Sequence, residues 1–401
     1  MVDNKLCEDD QKLIFGVPVS VFIIGLVTFF TIISTEMILN ILPLFTTSIG
    51  GTPLILGLIA GTSVFALYIL YTLWYWMEDK FTKKKVIAVS GCLISNIAKP
   101  FIGFSPSWVY VLGLKTIECS GNCIRSTSSK EYCSRRAVDE EKALQATKVF
   151  ESLGLILGSF FAFYLLFISM SYSQIIFLSI IPGSIAILLM LLLKSDANQE
   201  KNGNNVIQET QQKLEKTDNN FSRSIIIIGC LEIAGLGALF LIIRAVDYIS
   251  INLIFLIPLF FLISNVIFLI FSYITLKVSK KRSQKLHVIM GLFILLISCI
   301  LLAIPIGISL YSLIIIILLF TFYGFYKALV TPIIRKYISD LVAENTPRKS
   351  DKYYFLLIGF IALIKCIFIG FVYFVFSFTI AFIMVSIMIF FSIRIDRIEN
   401  H

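Results

Sequence analysis

The sequence predicts an all-α polytopic membrane protein, with twelve transmembrane helices in two six-helix bundles, and three observations carry that reading. The first is composition. Of 401 residues, 58% are hydrophobic and only 15% charged, with a mean hydropathy of +0.91, whereas soluble domains carry roughly one-quarter charged residues. The second is segmentation into apolar runs of about 20 residues, the length that crosses a ~30 Å hydrocarbon core. The third is the position of the 34 Lys and Arg, almost all of which stand in short connectors between the runs. Together they exclude a soluble globular protein and leave no room for a large aqueous catalytic domain. They also explain the net charge of +9 by membrane topology rather than by nucleic-acid binding.

The apolar runs cover residues 15–42, 53–77, 86–104, 107–133, 143–169, 173–193, 224–247, 251–276, 286–305, 308–334, 353–375 and 377–395. Unpaired backbone groups are prohibitive in lipid, so each run is expected to be helical despite its Ile and Phe content. The first follows an acidic start (Asp3, Glu8, Asp9, Asp10) and is too long for a cleaved signal peptide, so it is expected as a retained span. Every second connector is basic, as at Lys80 and Lys83 to Lys85, at Lys130, Arg135, Arg136 and Lys142, at Lys277, Lys280, Lys281, Arg282 and Lys285, and at Arg348, Lys349 and Lys352. The intervening connectors LPLFTTSIGGTP, FSPSW, SMSYSQ and PIGISLYS hold none. This asymmetry places both termini in the cytoplasm of a multi-pass cell-membrane protein.

Residues 194–223, rich in Asn, Gln, Lys and Glu, read as a solvated cytoplasmic linker between an N-terminal bundle, 1–193, and a C-terminal bundle, 224–401. The basic cluster Lys83 to Lys85 recurs at Lys280 to Arg282, and two related halves around a midplane site is a transporter layout. The eight cysteines are dispersed and read as free thiols, and two histidines, His287 and His401, supply too few nitrogen ligands for a metal centre. There is no nucleophile elbow, no phosphate-cradling Gly-rich loop and no His-Glu-x-x-His. No enzyme, metal or cofactor is expected.

Ionisable residues inside a span cost roughly 2.5–3.5 kcal/mol each on insertion scales, so those present call for a partner or a function. In the fourth run Lys115, Glu118, Asn122, Arg125 and Ser129 recur at steps of three and four, along one helical stripe. That stripe is read as a wall of a water-filled substrate path, against the alternative of a buried ion-pair set that only holds helices together. Glu36, Glu232, Lys327 and Lys365 have no opposite charge within one turn of their own helix, so any partners lie on other helices, and an interhelical pair stands beside a functional role for each. Desolvation favours the neutral form of an isolated carboxyl, which suits Glu36 and Glu232 to carry a proton. Arg125, Lys327 and Lys365 suit an anionic solute. Lys99 reads as snorkelling from the end of the third span, Arg244 and Asp247 as a boundary pair, and Gly154, Gly158 and Ala162 as a small-residue packing face.

The segment YWMEDKFTKKK between the second and third runs resembles the G-x-x-x-D-R-x-G-R-K hallmark of the major facilitator superfamily, with Asp79 at the acidic position, Lys80 following it and Lys83 to Lys85 at the basic end. Tyr75 and Thr82 stand where glycines are usual. A closer likeness is to a prokaryotic branch of that superfamily. STEMILNILPLF is similar to its first-span S-E-M-x-x-P-L-L-P-L-F, with Glu36 at the acid, and AKP at Ala98 to Pro100 also matches. KTIECSGNCIR is similar to R-x-x-D-R-x-G-K-G-x-R, and KVFESLGLILGS to R-x-x-D-x-x-G-x-x-x-G-P, with Lys148, Glu151, Gly154 and Gly158 matched and Ser159 in place of proline. Ala60 and Val64 replace the branch's second-helix acids, so coupling through those groups does not carry over. The second half matches through FLIIRA and YGFYKALVTPIIRKYISDLV.

The resemblance implies a secondary transporter whose two bundles rock around a central cavity, with no cofactor, moving a small-molecule substrate by proton or other ion coupling as a monomer in the lipid bilayer. Asp79, Lys80, Lys148 and Glu151 are the expected conformational gating residues. A transport-inactive sensor or assembly protein on the same fold is the alternative.

Overall fold

The computed structural model describes residues 13–14, 17–77, 84–136, 140–193, 238–279, 284–303, 310–345, 350–376, 379–381 and 383–387. Apart from a short antiparallel pairing of β1 (Leu13–Ile14) with β2 (Val17–Pro18), its elements are helical. The first run opens as α1 (Val19–Leu39), later than residue 15, because Pro18, with φ fixed and no N–H, stands at its N-cap. A short helix, α2 (Leu42–Ser48), continues it past Asn40. The break falls there because Pro43, in the first turn of α2, cannot donate to the carbonyl of Leu39. The next four spans are α3 (Pro53–Met77), α4 (Lys84–Gly103), α5 (Trp108–Arg136) and α6 (Glu140–Phe167).

The sixth run is two pieces, α7 (Tyr172–Leu178) and α8 (Ile180–Leu192). Pro182 lacks the N–H that would reach the carbonyl of Leu178, so the helix divides at Ser179. Ser171 and Gln174 form a capping box at the start of α7. After the linker come α9 (Ala238–Tyr248), a 3₁₀ turn at Ile251–Leu256, α10 (Ile257–Ser279), α11 (Gln284–Ala303), α12 (Leu310–Asn345) and α13 (Ser350–Val375). Helical turns at 379–381 and 383–387 lie in the twelfth run.

Among the described residues, nine helical segments are long and apolar enough to cross a membrane. The other three runs are the fourth, whose α5 carries the charged stripe, and the seventh and twelfth, each described in part. Twelve helices result, as the sequence predicts. Leu188, Leu192, Tyr273, Phe293 and Ile364 are exposed on outer faces, while Glu36, Lys99, Lys115, Glu118 and Arg125 are buried inside. This inverted distribution is what hydrocarbon as solvent demands.

Helix α1 packs on α6 and α8, α4 on α5, and α10 on α12. Two of the three buried hydrophobic clusters draw only on residues up to Leu193; the third draws on residues from Phe240 onward, plus Leu44 of α2. Contact between the two sets runs through α3 against α13, α6 against α10, and α2 against α9. At the end opposite the linker, the Phe163 and Phe167 rings stand 6.1 and 5.6 Å from that of Phe255. At the linker end, Lys85 of the basic cluster donates to the Leu191 carbonyl at 2.9 Å and to that of Leu193, neutralising the C-terminus of α8.

Glycines set the closest approaches. A Cβ on Gly121 of α5 would stand 2.5 Å from the Ser95 nitrogen of α4 and 2.7 Å from the Gly91 carbonyl oxygen, and one on Gly158 would stand 2.7 Å from the Glu36 Cβ. Gly154 and Gly158 thus hold α6 against α1, as the small-residue spacing predicts. Gly121→Val should therefore lower the melting temperature in detergent, by a loss of about 1–3 kcal/mol or more from overpacking against backbone. The lipid-facing Leu188→Val should leave it nearly unchanged, and an equal effect of both would show that α4 and α5 do not meet closely.

Candidate functional site

Among the described residues, two hydrogen-bonded polar groups hold the charges the sequence singles out in the first, fourth and tenth runs. The first is centred on Glu118 of α5, whose side chain is fully buried. Lys115, one turn before it, makes an ion pair to Oε2 at 2.6 Å. Asn122, one turn after it, donates through Nδ2 to Oε1 at 2.6 Å, and Thr35 of α1 donates to the same oxygen at 3.3 Å. The i,i+3 and i,i+4 spacing that puts the stripe on one face is what lets three residues of one helix meet. Glu118 is thereby saturated, and Lys115 and Glu118 form the buried ion pair that the sequence left as the alternative to an open wall.

Lys99 is 1% exposed, so it does not snorkel. Its position near the end of α4 suggested that it would. Its helix face decides otherwise, because Cys92, Ser95, Asn96 and Ile102 on the same side are buried while Leu93, Ile94, Ile97 and Phe101 are exposed. Its ammonium donates to Ser34 Oγ at 2.8 Å, and Ser34 donates in turn to the Ser179 carbonyl at 2.5 Å, at the division between α7 and α8. One turn beyond Asn122, Arg125 is 4% exposed and its Nε has no hydrogen-bond partner.

The second group joins the two sets of helices. Glu36 on α1, 5% exposed, accepts from Asn265 Nδ2 of α10 at 3.3 Å. The same amide nitrogen is 3.2 Å from Ser159 Oγ of α6, which also accepts from Asn40 Nδ2 at 3.1 Å. Asn265 Oδ1 accepts from the Lys327 ammonium of α12 at 3.2 Å, and that ammonium lies 5.3 Å from the Phe268 ring centroid and 5.7 Å from that of Tyr323. The partners expected for Glu36 and Lys327 on other helices are therefore present, and one neutral amide connects the two charges.

The sequence reading missed Asn265, Ser159 and Asn40. Their signal was available: each is a polar residue within an apolar run, and Ser159 stands where the resembling family has proline. Lys365 is half-buried on α13. Lys148 is exposed on α6 and Glu151 half-buried one turn on. Asp79, Lys80 and Glu232 lie outside the described residues, as does the linker. The expected boundary pair is formed: Arg244 and Asp247 are 3.2 Å apart, Arg244 also donates to Tyr248 at 2.8 Å and to the Leu302 carbonyl, and Tyr373 donates to Asp247. Cys92, Cys119, Cys123, Cys133, Cys299 and Cys366 are not joined in disulfides.

Comparison with known proteins bears on the family and the fold. A family model described as Major Facilitator Superfamily matches residues 24–348. The uncharacterized MFS-type transporter MJ1317 of Methanocaldococcus jannaschii is 26% identical over 377 residues, 92% of this chain and 91% of that protein. Among solved structures, a POT family transporter in complex with 5-aminolevulinic acid superposes with a TM-score of 0.78 at 15% identity, covering 98% of each chain. The nucleoside transporter NupG gives 0.71 at 12% identity, over 94% of this chain and 99% of its own. The human organic anion transporter MFSD10 (TETRAN) gives 0.60 at 14%, over 94% and 100%.

Glu118→Gln leaves Lys115 buried without its countercharge and should cost about 3–5 kcal/mol, read as a lowered melting temperature in detergent. The double variant Lys115→Met with Glu118→Gln should recover most of that loss. A single variant as stable as the native protein would show that the pair contributes nothing to the fold.

Proposed function

The chain belongs to the Major Facilitator Superfamily of transporters, and we propose that it is a secondary active transporter that moves a small-molecule substrate by alternating access, driven by protons. The observation that carries the coupling is the chain of contacts from Glu36 through Asn265 to Lys327, because it ties a titratable carboxyl before the linker to a lysine after it. While Glu36 is ionised it is a strong acceptor for the Asn265 amide and balances the Lys327 charge nearby. A proton on Glu36 removes the charge-assisted part of that contact and frees Asn265 to re-pair, so loading biases how α1 sits against α10. The moving bodies in this reading are the bundles 1–193 and 224–401.

Glu118 is held by its neighbours and serves better as a fixed strut. Glu232 remains a second proton carrier in this scheme, and Lys148 and Glu151, with Asp79 and Lys80, its gating residues. Both termini and the 194–223 linker face the cytoplasm. The protein works as a monomer in the cell membrane, with the bilayer and the solute as its partners and no cofactor.

In proteoliposomes, Glu36→Gln should abolish accumulation driven by an imposed pH difference yet leave substrate exchange without a gradient largely intact, since Gln imitates the protonated acid. Undiminished accumulation against a gradient by this variant would remove Glu36 from the coupling. For orientation, a single cysteine placed in the linker of an otherwise cysteine-free protein should react with an impermeant thiol reagent only after cells are permeabilised. Labelling of intact cells would invert the topology.

A further inference from the structure

We propose that the face of α5 between Asn122 and Arg125 binds the solute as a small organic anion that also carries a hydrogen-bond donor, a hydroxy- or amino-carboxylate. This deepens the transporter reading and rests on it only for the claim that the bound solute is carried.

Charge supplies the first half of the argument. Arg125 carries a guanidinium with five donors and no acceptor, and it is all but fully buried. No carboxylate of a described residue pairs with it, and its Nε has no hydrogen-bond partner. The buried charges of this region are Lys99, Lys115 and Arg125 against Glu118 and Glu36; Glu118 is taken up by Lys115, Asn122 and Thr35, and Glu36 is engaged by Asn265 beside Lys327. A buried cation left over in an apolar interior is costly, so an anion has to complete it from outside the chain.

Hydrogen bonding supplies the second half. Asn122 lies one turn away on the same stripe, and its Oδ1 is also buried without a donor. The orientation of that amide is fixed by chemistry: Nδ2 is 2.6 Å from the Glu118 carboxylate, which only accepts, so the oxygen is the atom left without a partner. Ser129 Oγ, one turn past Arg125, and Ser95 Oγ on the facing α4 are buried and unpaired as well. Chloride or a bare carboxylate satisfies Arg125 but sets negative charge beside the Asn122 oxygen. A ligand that brings both an anionic group and a hydroxyl or amine satisfies both orphans, at positions about 5–6 Å apart along the helix.

The test is thermal melting of the purified full-length protein in detergent, with glycolate, lactate, gluconate and glutamate as probes, and propanoate, lactamide and sodium chloride as controls. At least one hydroxy- or amino-carboxylate should raise the melting temperature in a saturable way, with propanoate and lactamide binding about tenfold or more weaker because each lacks one charge-assisted or neutral partner. Arg125→Met should remove the response while leaving the ligand-free melting temperature equal or higher, since an uncompensated charge is gone, and Arg125→Lys should keep part of the response. The proposal is overturned if no probe stabilises the protein, if chloride or propanoate does so equally well, or if Arg125→Met lowers the ligand-free melting temperature as loss of an internal ion pair would. Gradient-driven flux of another solute, uninhibited by these anions, would sink this assignment and leave transport standing. Saturable binding without uptake of the bound probe would support the site and remove the transport reading.

Discussion

One amide side chain, that of Asn265, holds together what the rest of the interior arranges. It gives a hydrogen to Glu36 on one side and takes one from Lys327 on the other, so two charges that could not face lipid are satisfied across the boundary between the two sets of helices. The surrounding packing serves that contact. Gly158 lets α6 approach α1 until its backbone lies beside Glu36, which brings Ser159 within reach of both Asn265 and Asn40. Helices α10 and α12, packed on each other, present Asn265 and Lys327 from the opposite direction.

The two polar groups differ in how much freedom they have. Around Glu118 every partner but Thr35 comes from α5 itself, and both carboxylate oxygens are occupied, so that group stiffens one helix and binds it to α1. The group around Glu36 spans four helices, α1, α6, α10 and α12, with Asn265 at its centre. A group spread over four helices reports on their relative positions, whereas one confined to a single helix and its neighbour does not.

Much of this was legible in the chain, for identifiable reasons. Helix positions followed from apolar runs because lipid imposes one backbone solution, and the breaks at Asn40 and Ser179 follow from Pro43 and Pro182. The stripe from Lys115 to Arg125 was readable because its members share a helix. What could not be read was tertiary: Glu36 and Asn265 are 229 positions apart, and nothing local says that an Asn in the eighth run meets an acid in the first. Lys99 was misplaced because its distance from the helix end was weighed and its helical face was not. That Thr35 reaches Glu118 from another helix could not be read from α5 alone.

The contact of α3 with α13 has a mechanical reading of its own. A Cβ at Gly57 would collide with the carbonyl oxygen of Cys366 and lie 3.2 Å from the Gly370 Cα, and one at Gly370 would stand 2.7 Å from the Pro53 carbonyl oxygen. At this crossing the two helices meet main chain to main chain, while to one side Leu363 sits over Gly61 and Phe65 and Tyr68 sit over Gly359. Such a crossing places a pivot at Gly57 and Gly370, and the side chains beside it, among them the rings of Phe65 and Phe360, 5.3 Å apart, resist sliding along the helix axes. It also couples the two helices in mutational terms, because a methyl group added at Gly57 has no room unless the facing backbone at Cys366 recedes.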